Sequence, residues 1–376
     1  MSRYIKLLQE RKEKGNFRQL NKKKELVDFV SNDYLGLSRS KELFENIQKY
    51  YYDDIVHLNG STGSRLLAGN YSETEALETK LAEIFKGEAA LLFNSGYVAN
   101  LALISSLPQK DDTIIYDSLS HICIKEGALL SKAKTFSFQH NDCNDLEKKL
   151  KVSNGEKFII IESVYSMDGD VAPFGDIISL AQKYNAKLIV DEAHSTGLYG
   201  KNGSGKLCSL GIEENIFARV YTFGKAMGVH GACIVGSKKM IDFLINFARP
   251  FIYTTALPIH SVFSIDAAFD FLAKNTLLQK VSKDKIFYFN SCFKSKIKGH
   301  SDIQKLESYS PIQPIIVPGN NRVKAIASTL QENGMDVRAI LSPTVKEGAE
   351  RLRISIHTHN SDDEIKSLVD TLSSLL

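Results

Sequence analysis

Long apolar runs are missing from this 376-residue chain. No stretch reaches the roughly eighteen apolar residues of a membrane-spanning helix, so none is expected. Cysteine is sparse: Cys123, Cys143, Cys208, Cys233 and Cys292 are scattered, odd in number and free of C-x-x-C spacing. That pattern argues against a disulfide framework and a zinc site, and no metal is expected. Charge of one sign is not in excess, since 47 basic and 44 acidic residues leave only +3. Nothing global draws the chain to nucleic acid or an acidic membrane, and any anion must be held locally. The short basic cluster Lys22–Lys24 has no aromatic nearer than Phe17 and reads as a solvated face. Internal repeats, low-complexity linkers and coiled-coil heptads are also lacking. The amino-terminal segment MSRYIKLLQERKEKGNF has no apolar core of a signal peptide, and Glu10 and Glu13 disfavour a transit peptide. A cytoplasmic location is expected.

What is present is an alternation of short apolar runs with helical patterns. Residues 4–14 predict an amphipathic helix, VDFVSNDYLGL a short strand and turn, and Glu73 to Phe85 a helix. Strands are predicted at 89–93, 113–117, 134–138, 158–163, 187–191, 219–223 and 233–236. Runs so uniformly apolar, with helices between them, predict a mostly parallel sheet covered on both faces. After Pro250 the pattern changes to long helices, a strand PIIVP at 314–318, a helix near 322–333 and a strand from Leu352 to Ile356. The expected organisation is an amino-terminal arm (1–40), a large domain (41–260) and a smaller carboxy-terminal α/β domain (261–376).

In open parallel sheets ligands sit beyond the carboxyl ends of the strands, so the polar residues there come first. KLIV stops at Asp191, giving V-D-E-A-H with His194 three positions on, and RVYTF runs into Thr222, Gly224 and Lys225. Taken singly, such an Asp is a helix cap and such a Lys a solvated loop residue. Together they match one chemistry. A lysine whose pKa is lowered forms a Schiff base with an aldehyde, and a buried carboxylate keeps a pyridinium nitrogen protonated.

The segments SNDYLGL, GSTGSRLLAGN, FNSGYVAN, DSLSHICIKEG, SVYSMDGD, VDEAHSTGLYG, TFGKAMGVHGA and SPTVKEGAERLRIS occur here in the order seen in the α-oxoamine synthases. From about residue 4 to the end, the chain resembles that family of pyridoxal 5'-phosphate (PLP) enzymes. The resemblance implies the aspartate aminotransferase-like fold of PLP-dependent transferases. It implies that Lys225 carries the cofactor and later moves the α-proton, that Asp191 bonds the pyridine nitrogen, and that His194 bonds the phenolic oxygen with help from Ser166. His121 would stack on the ring and assist the substrate. Gly96 and Tyr97 open a helix whose free N–H groups suit a phosphate, and Thr222 would add a hydroxyl. Thr255 of the Tyr253–Thr255 segment would reach the cofactor phosphate of a partner subunit, implying a homodimer with shared sites.

For the substrates, Arg353 would grip a carboxylate bidentately, with Arg18, Asn32 and Thr344 lining the acyl and amino-acid site. Arg351 is assigned to the opposite face of the Arg353 strand. Leu341 stands where the family often has an arginine, with Arg338 nearby, which leaves acyl recognition open. The implied reaction is decarboxylative condensation of an amino acid with an acyl thioester, of L-alanine with a pimeloyl thioester on CoA or acyl carrier protein. Glycine with acetyl-CoA and serine with a long acyl chain are the alternatives. A catalytically silent structural paralogue is the reading from another class, against which Lys225, Asp191, His194 and His121 stand together. The spacing of GKNGSGK at Gly200–Lys206 imitates a phosphate-binding loop, but Leu207 replaces the Ser or Thr that would ligate magnesium. It is read as a Gly-rich turn.

Overall fold

The computed structural model describes residues 2–20, 25–50, 59–297 and 303–376. Lys22–Lys24 lie outside the described residues. The chain divides into two compact units, one of Leu35–Ser166 with Val171–Lys280, the other of Met1–Tyr34, Met167–Asp170 and Val281–Leu376. The helix Ile259–Lys274 belongs to the first of these.

The first unit is built on a seven-stranded sheet in the order 89–93, 232–236, 218–222, 186–191, 157–162, 113–117, 134–138. Every neighbouring pair is parallel except those made by Ala232–Gly236, which runs against both its neighbours. The cause is local. A parallel return needs a crossover of a dozen or more residues, whereas Thr222 and Ala232 are joined by a tight connection closed by Phe223 N–H to Gly231 O at 2.9 Å and Val229 N–H to Phe223 O at 3.0 Å. Lys225 sits in that connection.

The unbroken apolar runs are explained by burial on both faces. Phe158, Ile160 and Ile189 enter one apolar cluster, while Ile159, Ile161, Leu188 and Val190 enter another. Successive side chains leave a strand on opposite sides, so a strand covered twice cannot alternate with polar residues. The polar groups are deferred to the strand ends, where Asp117, Glu162, Asp191 and Thr222 are the last residues of their strands.

The second unit carries a four-stranded antiparallel sheet in the order 338–340, 351–355, 312–316, 304–305. The helices Asn320–Glu332 and Asp362–Leu375 contribute Val323, Leu330, Ile365, Leu368 and Leu372 to its core. Ser361 starts the last helix with a capping box completed by Glu364. The strand expected at 314–318 lies at Ile312–Ile316, two residues earlier, where Pro314 faces Arg353 in the register. Val27–Asp28 pairs in parallel with Met335–Asp336. No described helix is long and apolar enough to cross a membrane.

Candidate active site

Asp191 and Glu162 end adjacent parallel strands in register, so two buried carboxylates lie side by side. Asp191 accepts from Asn100 Nδ2 at 2.7 Å and from the Ala193 N–H at 2.8 Å. Glu162 accepts the His121 N–H at 2.6 Å and the Ser166 N–H at 3.3 Å, one on each oxygen. Burial, reinforced by the negative charge of Asp191, pushes the Glu162 carboxyl up to about 8. Lys225 Nζ lies 2.8 Å from His194 Nε2. His194 is buried and Lys225 half-buried.

The helix Gly96–Ser106 begins beside this group, capped by Ser95, whose hydroxyl accepts the Val98 N–H at 3.3 Å. A Cβ on Gly96 would press against Thr222 Cβ and Oγ1 at 3.3 and 3.4 Å. Glycine therefore keeps the helix start open next to the threonine hydroxyl. Tyr97 follows, 40% exposed, its hydroxyl bonded to Glu126. Asn94 Nδ2 donates to the Thr255 carbonyl at 3.0 Å and to Thr254 Oγ1 at 3.3 Å, so Thr255 is tied next to this helix start. His121 caps the helix Ile122–Leu130, its Nδ1 accepting the Cys123 N–H.

In the other unit Arg353 Nη2 donates to Asn32 Oδ1 at 3.0 Å and to Tyr34 Oη at 3.3 Å, and its Nη1 to Ser355 Oγ at 3.1 Å. His357 bridges Asn360 Oδ1, at 3.1 Å, and Ser31 Oγ, at 3.2 Å, pinning the segment that carries Asn32. Arg18 Nη2 reaches Thr344 Oγ1 at 3.5 Å, an exposed pair. Leu341 packs against the apolar core of this unit, and Arg338 is paired with Asp336 at 2.7 Å. The assignment of Arg351 to the opposite face fails on strand geometry: residues two apart share a face. What distinguishes it from Arg353 is its partner, since Arg351 is ion-paired with Asp168.

The model of the aminotransferase class I and II family matches residues 24–372. The chain belongs to that family. Within it the chain is an α-oxoamine synthase, an acyl-transferring PLP enzyme with the expected aminotransferase-like fold. It is 39% identical over 370 residues to the 8-amino-7-oxononanoate synthase of Emericella nidulans, covering 93% of this chain and 89% of that one. A solved 8-amino-7-oxononanoate synthase from Francisella tularensis superposes with a TM-score of 0.78 at 30% identity, covering 93% and 97%. Sphingomonas wittichii serine palmitoyltransferase does so with 0.84 at 28%, covering 93% and 87%. Relatives that carry the first of these names support a place in biotin synthesis.

The residues present fit the family's cofactor. Asp191 is a buried carboxylate hydrogen-bonded to neutral donors, which suits a protonated pyridine nitrogen. Among the described residues the buried Oδ1 of Asn100 has no hydrogen-bond partner, a polar atom left over beside that carboxylate.

Sequence reasoning passed over Glu162, Asn100 and Glu192. Each lies inside or next to a quoted motif, but its role is a contact with backbone or with another motif's side chain. Glu192 also explains the imitation phosphate loop: its carboxylate accepts the Lys206 N–H at 2.6 Å and the Leu207 N–H at 2.9 Å. The group seated on that helix turn is the protein's own carboxyl, which burial raises to about 7. Gly205, at φ +90°, is required there, because a Cβ would collide with the Glu192 carboxylate.

Proposed function

We propose that the protein joins L-alanine to a pimeloyl thioester, releasing CO2 and the thiol carrier and forming 8-amino-7-oxononanoate. The supporting observation is the Lys225, His194 and Asp191 grouping at adjacent strand ends, in a chain whose full-length relatives bear that enzyme's name. Bound PLP supplies an electron sink for negative charge at the amino acid's α-carbon.

Around it, Asp191 would hold the ring nitrogen protonated, and Thr222 with the N–H groups of Gly96 and Tyr97 would take the phosphate. Ser166 and His194 would fix the phenolic edge, and His121 would lie on the ring face. Lys225 would hold the cofactor, take the α-proton, and return a proton once the carboxylate has left as CO2. At the α-carbon a C–C bond to the acyl carbonyl forms as the C–S bond breaks, and the thiolate leaves with a proton. Arg353, with Asn32 beside it, would bind a substrate carboxylate; Arg18 and Thr344 would line the acyl path. Thr255 would serve the partner's phosphate in a homodimer.

Serine with a long acyl chain is the second reading, favoured by the likeness to serine palmitoyltransferase. Purified protein loaded with PLP is to be mixed with alanine, glycine or serine and acyl thioesters of several lengths, and CO2 release measured. Alanine with the seven-carbon diacid thioester should be fastest. A preference for serine with a long chain would replace this reading.

A further inference from the structure

We infer that Cys123 is a positioning residue for His121, its thiol holding the imidazole in the tautomer that carries the proton on Nε2. This rests on the proposed place of His121 at the cofactor. Two contacts carry it. The Cys123 N–H points at His121 Nδ1 from 3.3 Å, and a backbone N–H can only donate, so this long contact favours an unprotonated Nδ1 but is too weak to fix the tautomer alone. Cys123 Sγ lies 2.9 Å from the same nitrogen, and an acceptor nitrogen leaves the thiol hydrogen as the donor of that bond. A neutral imidazole has one N–H, and with Nδ1 occupied it must be on Nε2.

The surroundings keep both groups in these states. Burial in the apolar cluster that also holds Ile104, Ile124 and Ala128 keeps the thiol protonated, and the nearby charge of Asp191 pushes the same way, outweighing Lys225. His121 is kept neutral by desolvation and by the positive charges of Lys225 and Lys125, against the pull of Asp191. Its backbone is fixed independently, because the His121 N–H is held by Glu162. Strand end, helix cap and thiol together leave the ring presenting Nε2–H as a donor, the form needed to steady a carboxylate or carbonyl oxygen of a substrate. A small buried cysteine would otherwise be no more than core filling.

The test is nitrogen NMR of 15N-histidine-labelled full-length protein, with the His121 signals assigned by their loss in His121→Gln. Wild type should show an acceptor Nδ1 and a protonated Nε2. In Cys123→Ala the single backbone bond should leave a tautomer mixture and a raised imidazole pKa, and Cys123→Ser should restore the wild-type pattern. Turnover of the PLP-loaded Ala variant should fall roughly three- to tenfold in kcat, the worth of one hydrogen bond, with KM little changed and the Ser variant recovering. An unchanged nitrogen pattern in Cys123→Ala overturns the inference, and so does a changed pattern with unchanged kcat. Failure of wild type to bind PLP would instead overturn the proposed function, while the NMR comparison still judges the thiol.

Discussion

Lys225 Nζ and His194 Nε2 are 2.8 Å apart, although they come from different strand ends, the lysine from a hairpin connection and the histidine from the turn after Asp191. An amine that close to an imidazole is placed to pass a proton. Lys225→Ala should therefore lower kcat by at least about a thousandfold and remove the visible absorption of bound cofactor. Circular dichroism should be unchanged, since Lys225 is only half-buried. A variant with near-normal turnover would end the assignment.

Glu162 predicts a pH dependence of stability. Its folded-state carboxyl is raised from 4.5 to about 8, so the folded chain keeps a proton that the unfolded chain has lost. Stability from this group is complete below the unfolded value and is lost as pH rises through about 8. Glu162→Gln does not titrate. The melting temperature of the cofactor-free wild type, relative to that variant, should fall steadily from about pH 5 to about pH 9; parallel curves would contradict this.

Asp117 predicts the opposite trend. Burial would raise its carboxyl, but His140 at 3.0 Å and the N–H groups of Asn141 and Leu119 outweigh burial and lower it. The stability it contributes is present above the ordinary carboxylate value and is lost as pH falls through the depressed one. Asp117→Ala strips three partners at once, and chemical denaturation near neutral pH should show a loss of about 3 kcal/mol. The loop 118–120 leads directly to His121, so turnover should fall as well.

Arg353→Ala should raise KM for the amino acid by about ten- to a hundredfold, the loss of a charge-assisted carboxylate contact. Binding of PLP to the other unit should be unaffected. Steady-state kinetics beside a cofactor titration separate the two, and an unchanged KM would place the carboxylate elsewhere.

The inner strands of the large sheet were legible in the chain because burial on both faces leaves a run of apolar residues with sharp polar ends, while the exposed edge strand Lys134–Phe138 shows only its β-branched and aromatic residues. The sheet's chemistry was legible too, because Asp191, His194 and Lys225 stand at those ends within a few residues of a strand, and the motif order names the family. The two- and three-residue strands at 304–305, 335–336 and 338–340 were not legible, since so few residues show no period.

Contacts between motifs far apart in the chain were hidden for a different reason. Local pattern reports which residues leave a strand, not which backbone groups another segment brings to them. Glu162 beneath His121 and Ser166, Asn100 against Asp191, and Glu192 in the imitation phosphate loop exist only once separate strand ends are brought together. The sequence by itself determined the sheet, the family and its cofactor, which depend on residue type and spacing along the chain. Only the tertiary structure decided that burial beside Asp191 raises the Glu162 carboxyl and that His121 is held over it by its N–H, because both depend on burial and on partners distant in sequence.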